Sequence, residues 1–380
     1  MWHLPPNARL LDLDSMESPS RHGDRLFLIA LAGLCAVGLL MVYSASFYKG
    51  FETFRDPFHY LKDHAVRLGM GLALFWAAYR FDYHHLRRVS RWILVLCLLL
   101  LIAVLVVSPR PHRWLNLFGV TVQPSELVRM GLVIYLADWC SRHANRLREQ
   151  WGTYLFALGV IAAPVGLVVL EPSFSAAAMI AIAGGFVLFF AGARLKHLAL
   201  TVLPALPMGL IVALMEPYRM RRIFSFFNPT ADPQGMGYQS NQSLIAVGSG
   251  KLFGVGMGMS GQKNDFLPEA HCDFIFSILC EEKGFAGAMV VLALFALFAW
   301  RGFKIALKAP DPFGFLLAGG LTWSIVLFIL MNISVSLGLV PVTGLPLPFV
   351  SYGGSALIAN LGACGIIMNI SRHAQSPEAV

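Results

Sequence analysis

Residues 92–108 read WILVLCLLLLIAVLVVS, seventeen positions without one charged side chain. Crossing a hydrocarbon core takes about 20 mainly apolar residues, so this run reads as a membrane-spanning helix at the short end of the range. Comparable runs lie at roughly 26–47, 65–81, 124–140, 153–170, 174–191, 196–215, 274–300, 313–337 and 350–371. Those at 65–81 and 124–140 are the shortest or most polar. The chain is therefore expected to be an all-α polytopic membrane protein of about ten transmembrane helices. One long extracytoplasmic loop, about 216–273, separates helices 7 and 8. Residues 1–25 read as a cytoplasmic N-terminal tail, 26–372 as the membrane domain and 373–380 as a cytoplasmic C-terminal tail.

The 380 residues are 57% hydrophobic and only 13% charged. A soluble domain carries roughly 25% charged residues, which excludes that class. The apolar runs are too many and too long for one cleaved signal. The net charge of +8 is spread among loops, as membrane topology requires, and does not point to nucleic acid. Lys and Arg number 16 in the N-tail, residues 80–92, 141–152, 192–197, 301–312 and the C-tail, against 6 in the opposite short loops. That asymmetry places both termini in the cytoplasm. The six cysteines sit mostly inside apolar runs without Cys-x-x-Cys spacing and read as small buried hydrophobes.

Four polar, Gly- and Pro-rich clusters then fall on the outer side. They are Gln123-Pro124-Ser125-Glu126, Glu171-Pro172-Ser173, the run 267–274 (LPEAHCDF), and the run 341–355 (PVTGLPLPFVSYGGS). Irregular backbone at the membrane boundary is tolerated where it is buried in protein or lines a watery cavity, so four such stretches on one face imply a built site. Glu126 and Arg129, three apart, share a helix face. Two readings are open: an ion pair that orders the bundle, with Glu126 at the positive helix end, or a charged pair lining an outer cavity. Asp273 immediately precedes an apolar run, where partial desolvation raises a carboxyl toward the pKa of a useful base; it also suits a helix N-cap.

Glu269, His271, Cys272 and Asp273 resemble a metal cluster, but four ligands from five consecutive residues is poor geometry. Arg219, Arg221 and Arg222 after the seventh span are either interfacial anchors or a pyrophosphate clamp. Gly256-Met257-Gly258-Met259-Ser260-Gly261 has dinucleotide-loop spacing without the strand–helix context, and is rejected as such. Residues 235–243 read as a turn entering an amphipathic segment on the outer surface. Glu281, Glu282 and Lys283, followed by Gly284, suggest a helix that packs its charges inward or one that starts after them.

In order, Gln-Pro-Ser-Glu at 123–126, GYQSNQS at 237–243, LPEAHCDFIF at 267–276 and TGLPLPFVSYGGS at 343–355 strongly resemble the SEDS family (shape, elongation, division and sporulation). The match covers about residues 26–372. Residues 41–46 and 267–271 look most like the division branch, with the elongation branch as near alternative. The resemblance implies a peptidoglycan glycosyltransferase that polymerises lipid II on the outer face of the membrane, inverting to a β-1,4 product. It places the family's essential carboxylate on Asp273, its acidic and basic pair on Glu126 and Arg129, and its loop arginine on Arg221 or Arg222. Lys263, Glu269, His271, Ser351 and Ser355 are expected to complete the substrate surface. Two positions depart from the family pattern: Cys272 replaces Thr, and Ser173 stands where a carboxylate is usual.

Expected partners are lipid II and the nascent glycan strand, a class B penicillin-binding protein transpeptidase, other divisome membrane proteins and membrane lipids, with no nucleic acid. No resident metal is assigned; a divalent cation (Mg or Mn) is the one cofactor the chemistry admits. Residence in the cytoplasmic (inner) membrane, with enrichment at the septum, follows from the division branch. Two other classes use the same features, a lipid-linked precursor transporter (flippase) and a non-enzymatic scaffold. A transporter should show openings to both faces, whereas these motifs cluster on one.

Overall fold

The computed structural model describes residues 24–108, 113–117, 120–171, 173–227, 236–263 and 266–373. Most of both expected tails, residues 1–23 and 374–380, and Pro172 of the second cluster lie outside them, as does the side chain of Arg219.

Ten long helices occur among the described residues, one for each apolar run: α1 (Arg25–Phe54), α2 (His59–Arg80), α3 (His84–Val107), α4 (Pro124–Glu149), α5 (Trp151–Leu170), α6 (Phe174–Phe190) and α7 (Leu195–Leu214) come first. Two shorter helices follow, α8 (Pro217–Phe227) and α9 (Met236–Ser249), then α10 (Ile275–Leu307), α11 (Pro312–Ser336) and α12 (Gly354–His373). Six of them (α1, α3, α5, α10, α11 and α12) are long and apolar enough to cross a membrane, and α6 is a shorter apolar helix. The protein is a multi-pass helical bundle. Its one small sheet among the described residues pairs β1 (Leu115–Leu117) with β2 (Val120–Val122), antiparallel, just before α4.

Helix ends depart from the apolar runs where polar residues continue the helix. The third starts at His84 rather than 92, and the fourth runs on to Glu149. Arginine is a good helix former, so basic flanks extend the helix beyond the apolar stretch. The twelfth starts late, at Gly354, because Pro341, Pro346 and Pro348 hold the preceding chain out of helix. Capping is explicit at two starts. Asp24 accepts from Phe27 N at 2.9 Å, and Asp311 accepts from Phe313 N and Gly314 N ahead of Pro312.

Within the bundle α2 packs on α12, α4 lies between α3 and α11, and α10 lies between α1 and α11. Where α2 meets α12 the close approach runs through Gly71, Gly362 and Gly365. Small residues let helix backbones approach where lipid supplies no hydrophobic drive.

The loop between α7 and α10 is structured by α8 and α9. The second of these is not laid on the surface: Ser243 is fully buried, with its hydroxyl 2.6 Å from Ser277 Oγ and bonded to Ser336 O at 2.8 Å. Beyond α9 the chain threads a break in α10. Gly284 there has φ 66° and ψ −168°. The freed helix groups find partners in residues 251–256: Phe285 N donates to Lys251 O, Ala286 N to Leu252 O, Val255 N to Glu281 O and Gly256 N to Glu282 O. A Cβ on Gly284 would collide with Gly254 N and the Leu252 carbonyl, so only glycine serves. Gly250 and Gly254 serve the same close passage, whereas Gly256 and Gly258, in the run that imitates a nucleotide loop, take positive φ of 108° and 81° without such contacts.

The charges of the break are turned inward. Glu281 accepts from Ser260 Oγ and from Gly261 N; Glu282 accepts from Ser44 Oγ and pairs with Lys263 at 2.9 Å. Lys283 alone faces out.

Candidate functional site

Asp273 sits in the turn that launches α10. Glu269 adopts a left-handed φ of 54°, and its carbonyl accepts from Cys272 N at 2.9 Å and Asp273 N at 3.1 Å, which curls residues 269–273 ahead of the helix. Its expected N-cap role is not seen: Phe274 occupies that position without a side-chain cap bond.

Two irregular segments are stitched together around it. Ser351 Oγ donates to Cys272 O at 2.6 Å and accepts from Leu347 N at 2.8 Å, and Tyr352 N donates to His271 O at 3.0 Å. Asn332, on the last turns of α11, donates Nδ2 to both Asp273 O (2.9 Å) and Leu345 O (2.8 Å). Gly344, at φ 72°, backs onto the carboxylate, and an added Cβ would make an ordinary contact of 3.7 Å with Asp273 Oδ2. Arg222 of α8 donates Nη1 to Val342 O at 3.1 Å, bringing its charge to the same segment. Arg221 is exposed.

The electrostatics follow from burial. Desolvation, reinforced by the neighbouring Glu269 charge and opposed by Arg222, pushes the Asp273 carboxyl up to about 6. The residue as a whole is nevertheless partly exposed. Burial and the Lys49 charge push the His271 imidazole down to about 4, leaving it neutral at neutral pH. Burial alone would raise Glu269, but the Lys49 bond at 2.9 Å and its charge outweigh that and hold the carboxyl below its ordinary value. Desolvation and the Asp273 and Glu269 charges raise Cys272 well above a usual thiol, so it is no nucleophile. Around His271 the rings of Tyr60 (4.8 Å) and Tyr352 (5.6 Å) form an aromatic wall.

The expected residues divide into two groups. Asp273, Glu269, His271, Ser351 and Arg222 are brought together. Glu126 and Arg129 form a buried ion pair at 3.1 Å, with Arg129 also donating to Ser324 Oγ (2.8 Å) and Asn360 Oδ1 (2.7 Å) and lying 4.3 Å from the Phe328 ring. Its side chain is 1% exposed. Of the two readings the geometry matches the pair that orders the bundle, joining α4 to α11 and α12, and not one lining an open cavity. Ser324, Phe328 and Asn332 recur at four-residue spacing on α11, so the pair lies about 12 Å along that helix from the Asn332 anchor of Asp273. Ser355 ties α12 to α4 by accepting from Gln123 N at 3.1 Å.

Lys263 is the clearest departure: its ammonium is held by Glu282 and Ser44 in a buried network on α1 and α10. Ser173, where a carboxylate was expected by resemblance, neighbours Glu171. That side chain is fully buried, and burial pushes its carboxyl up to about 8 against the opposing charge of Arg113.

Asn332 and Lys49 were not foreseen. Asn332 had one signal, an amide inside the apolar run LFILMNISVS of 327–336; such a group in a span needs a partner. For Lys49 nothing local announces a contact 220 residues away.

Ligand atoms of Glu269, His271 and Cys272 lie within 4.8 Å of one another. The set does not fit Mg or Mn: thiol and imidazole are soft or borderline donors, and the one carboxylate already holds the Lys49 ammonium.

Comparison with known proteins places these features in context. A family model described as "Cell cycle protein", covering FtsW, RodA and SpoVE, matches residues 24–376. Stage V sporulation protein E of Bacillus subtilis is 37% identical over 357 residues, 93% of this chain and 98% of that protein. The probable peptidoglycan glycosyltransferase FtsW of Coxiella burnetii is 38% identical over 356 residues, 92% of this chain and 96% of that protein. Among solved structures, a chain of a peptidoglycan synthase complex that coordinates polymerization and crosslinking superposes with a TM-score of 0.76 at 28% identity, over 93% of this chain and 98% of that one. The crystal structure of Thermus thermophilus RodA gives 0.69 at 27% identity, over 92% and 97%.

Proposed function

The chain belongs to the FtsW, RodA and SpoVE family of cell cycle proteins, and from that premise we propose that it is a peptidoglycan glycosyltransferase polymerising lipid II on the outer face of the cytoplasmic membrane. The observation that carries the reading is the setting of Asp273: a carboxylate on a partly exposed residue, raised to about 6, with Ser351 and Asn332 bracing the Cys272 and Asp273 carbonyls and Arg222 nearby.

Asp273 takes the proton from the acceptor sugar hydroxyl as that oxygen attacks the anomeric carbon. The bond from that carbon to the undecaprenyl pyrophosphate breaks, and the pyrophosphate leaves with the electron pair. Attack from the opposite face turns the α-linked donor into a β-1,4 glycosidic bond. A base with a pKa just below the operating pH is mostly ionised yet still basic enough to accept the proton. Arg222 offsets charge on the departing pyrophosphate, its planar fork matching phosphate oxygens. Apolar faces of the surrounding helices keep the prenyl chains in lipid.

We assign the protein to septal synthesis, supported by FtsW relatives 35% to 39% identical over most of their length. A class B penicillin-binding protein is the partner that would crosslink the strands, a reading supported by the likeness to a chain of a peptidoglycan synthase complex. The test is to incubate the full chain, with that partner, in lipid nanodiscs with labelled lipid II. Glycan polymer is the expected product. Lipid II translocation without polymer in proteoliposomes would instead identify a transporter, and neither product a scaffold.

A further inference from the structure

At the end of the bundle opposite Asp273, three chain segments converge on a small histidine and carboxylate cluster that the glycosyltransferase reading leaves unused. Asp82 comes from the turn between α2 and α3, His84 from the start of α3, His373 from the last turn of α12, and Asp311 from the cap of α11. Ligand atoms of Asp82, His84 and His373 all lie within 4.8 Å of one another. We propose that Asp82, His84 and His373 bind a zinc ion or a similar first-row transition metal, with Asp311 holding His84 in position.

The outer hydrogen bonds argue for a built site. His373 Nδ1 lies 2.9 Å from Asn369 O, one turn back on α12. A carbonyl cannot donate, so Nδ1 carries a proton, which leaves Nε2 as the ring's metal-ligating atom. That Nε2 faces Asp82 Oδ1 at 3.8 Å. His84 faces carboxylates with both nitrogens, Nδ1 at 2.7 Å from Asp82 Oδ1 and Nε2 at 3.5 Å from Asp311 Oδ2. Each ring thus has one nitrogen aimed at Asp82 and the other turned to an oxygen outside the ligand group. For His373 this is the arrangement in which a histidine ligand donates its second N–H to a carbonyl, fixing tautomer and orientation, while Asp311 faces the second nitrogen of His84 electrostatically at 3.5 Å.

Asp311 is itself immobilised. Its Oδ1 caps α11 and its Oδ2 accepts the Tyr83 hydroxyl. Tetrahedral donors at about 2.0–2.1 Å from zinc lie about 3.3 Å apart. The separations of Asp82 Oδ1 from His84 Nδ1 and His373 Nε2, 2.7 and 3.8 Å, straddle that value, and no two ligand atoms lie more than 4.8 Å apart. Two imidazoles and one carboxylate suit zinc rather than magnesium or calcium, and partial exposure leaves a fourth position for water. Binding would tie α2, α3 and α12 together, with α11 joined through Asp311.

The test uses the full chain in detergent, with any affinity tag removed, and Zn²⁺ alone competed against a chromophoric chelator. One equivalent is expected, weakened at least about 10-fold in His84→Ala and in His373→Ala. Asp311→Asn retains every ligand and the helix cap, and should weaken binding by about 10–100-fold as a positioning change. Co²⁺ added to the unaltered chain supplies a variant-free check, with the visible absorption of a tetrahedral nitrogen and oxygen site expected. No uptake at stoichiometric Zn²⁺, or equal uptake in both histidine variants, would overturn the proposal. So would uptake lost in His271→Ala instead, which would place the ion at Glu269, His271 and Cys272.

Discussion

Asn332 of α11 holds the backbone carbonyl of Asp273 at 2.9 Å with the same amide nitrogen that holds Leu345 O at 2.8 Å. One amide side chain within a membrane-spanning helix thereby fixes the turn bearing the carboxylate against the segment bearing Gly344. Removing it frees two buried carbonyls at once. Each such orphan costs about 1–3 kcal/mol, and a misplaced base costs more in rate than in stability. Asn332→Leu should lower lipid II polymerisation by about 10- to 100-fold with a small fall in kcat-independent lipid II binding. Single-turnover kinetics and a binding isotherm on the same preparation separate the two effects.

The pH dependence of polymerisation should report Asp273. With the carboxyl raised to about 6, the rate should rise through that region and level off above it, since only the ionised form accepts a proton. The stability sign is opposite. The folded pKa exceeds the ordinary 3.8, so this group's contribution is fully present below that value and is lost as pH rises toward 6. Asp273→Asn should therefore melt no lower than the parent at pH 7.5. Thermal melts at pH 5 and 7.5 check it.

Arg129 and Arg222 should fail in different ways. Breaking a buried pair on one side leaves an uncompensated charge, worth about 3–5 kcal/mol. Arg129→Met should thus lower the melting temperature sharply, and Glu126→Gln with Arg129→Met should recover part of the loss. Arg222→Ala, on the half-buried α8, should leave melting nearly unchanged while cutting polymerisation. Melting curves beside the lipid II assay distinguish the two.

Gly284→Ala should be severely destabilising. Its φ of 66° with ψ of −168° is a region almost confined to glycine, and the added methyl meets the 252–254 backbone. Loss of folded protein in fluorescence-detected size exclusion is the expected readout, whereas Gly248→Ala, with open space around it, should be tolerated.

Much of this architecture was legible in the chain. Each apolar run became one helix, because in a bilayer a long apolar segment has almost no other way to satisfy its backbone. Helix ends were less legible: basic flanks such as 84–91 extend a helix without adding hydropathy. The 216–273 region hid α8 and α9, whose docking depends on contacts such as Ser243 with Ser277. At the site, the resemblance pointed to residue 273 and its neighbourhood. It could not choose between the arginines, nor foresee that Lys263 is taken by Glu282, since pairing across the fold leaves no mark in local sequence. Glu126 and Arg129 were visible as a pair, but only Ser324 and Asn360 reveal that it is sealed.

The role of Asp273 rests on chemistry that asparagine cannot perform while keeping the same shape. Purified full-length Asp273→Asn, shown folded by its melting curve and supplied with labelled lipid II and the transpeptidase partner, should form no glycan polymer while binding lipid II as the parent does. Polymer made at the parent's rate would remove Asp273 as the base and with it the mechanism proposed above.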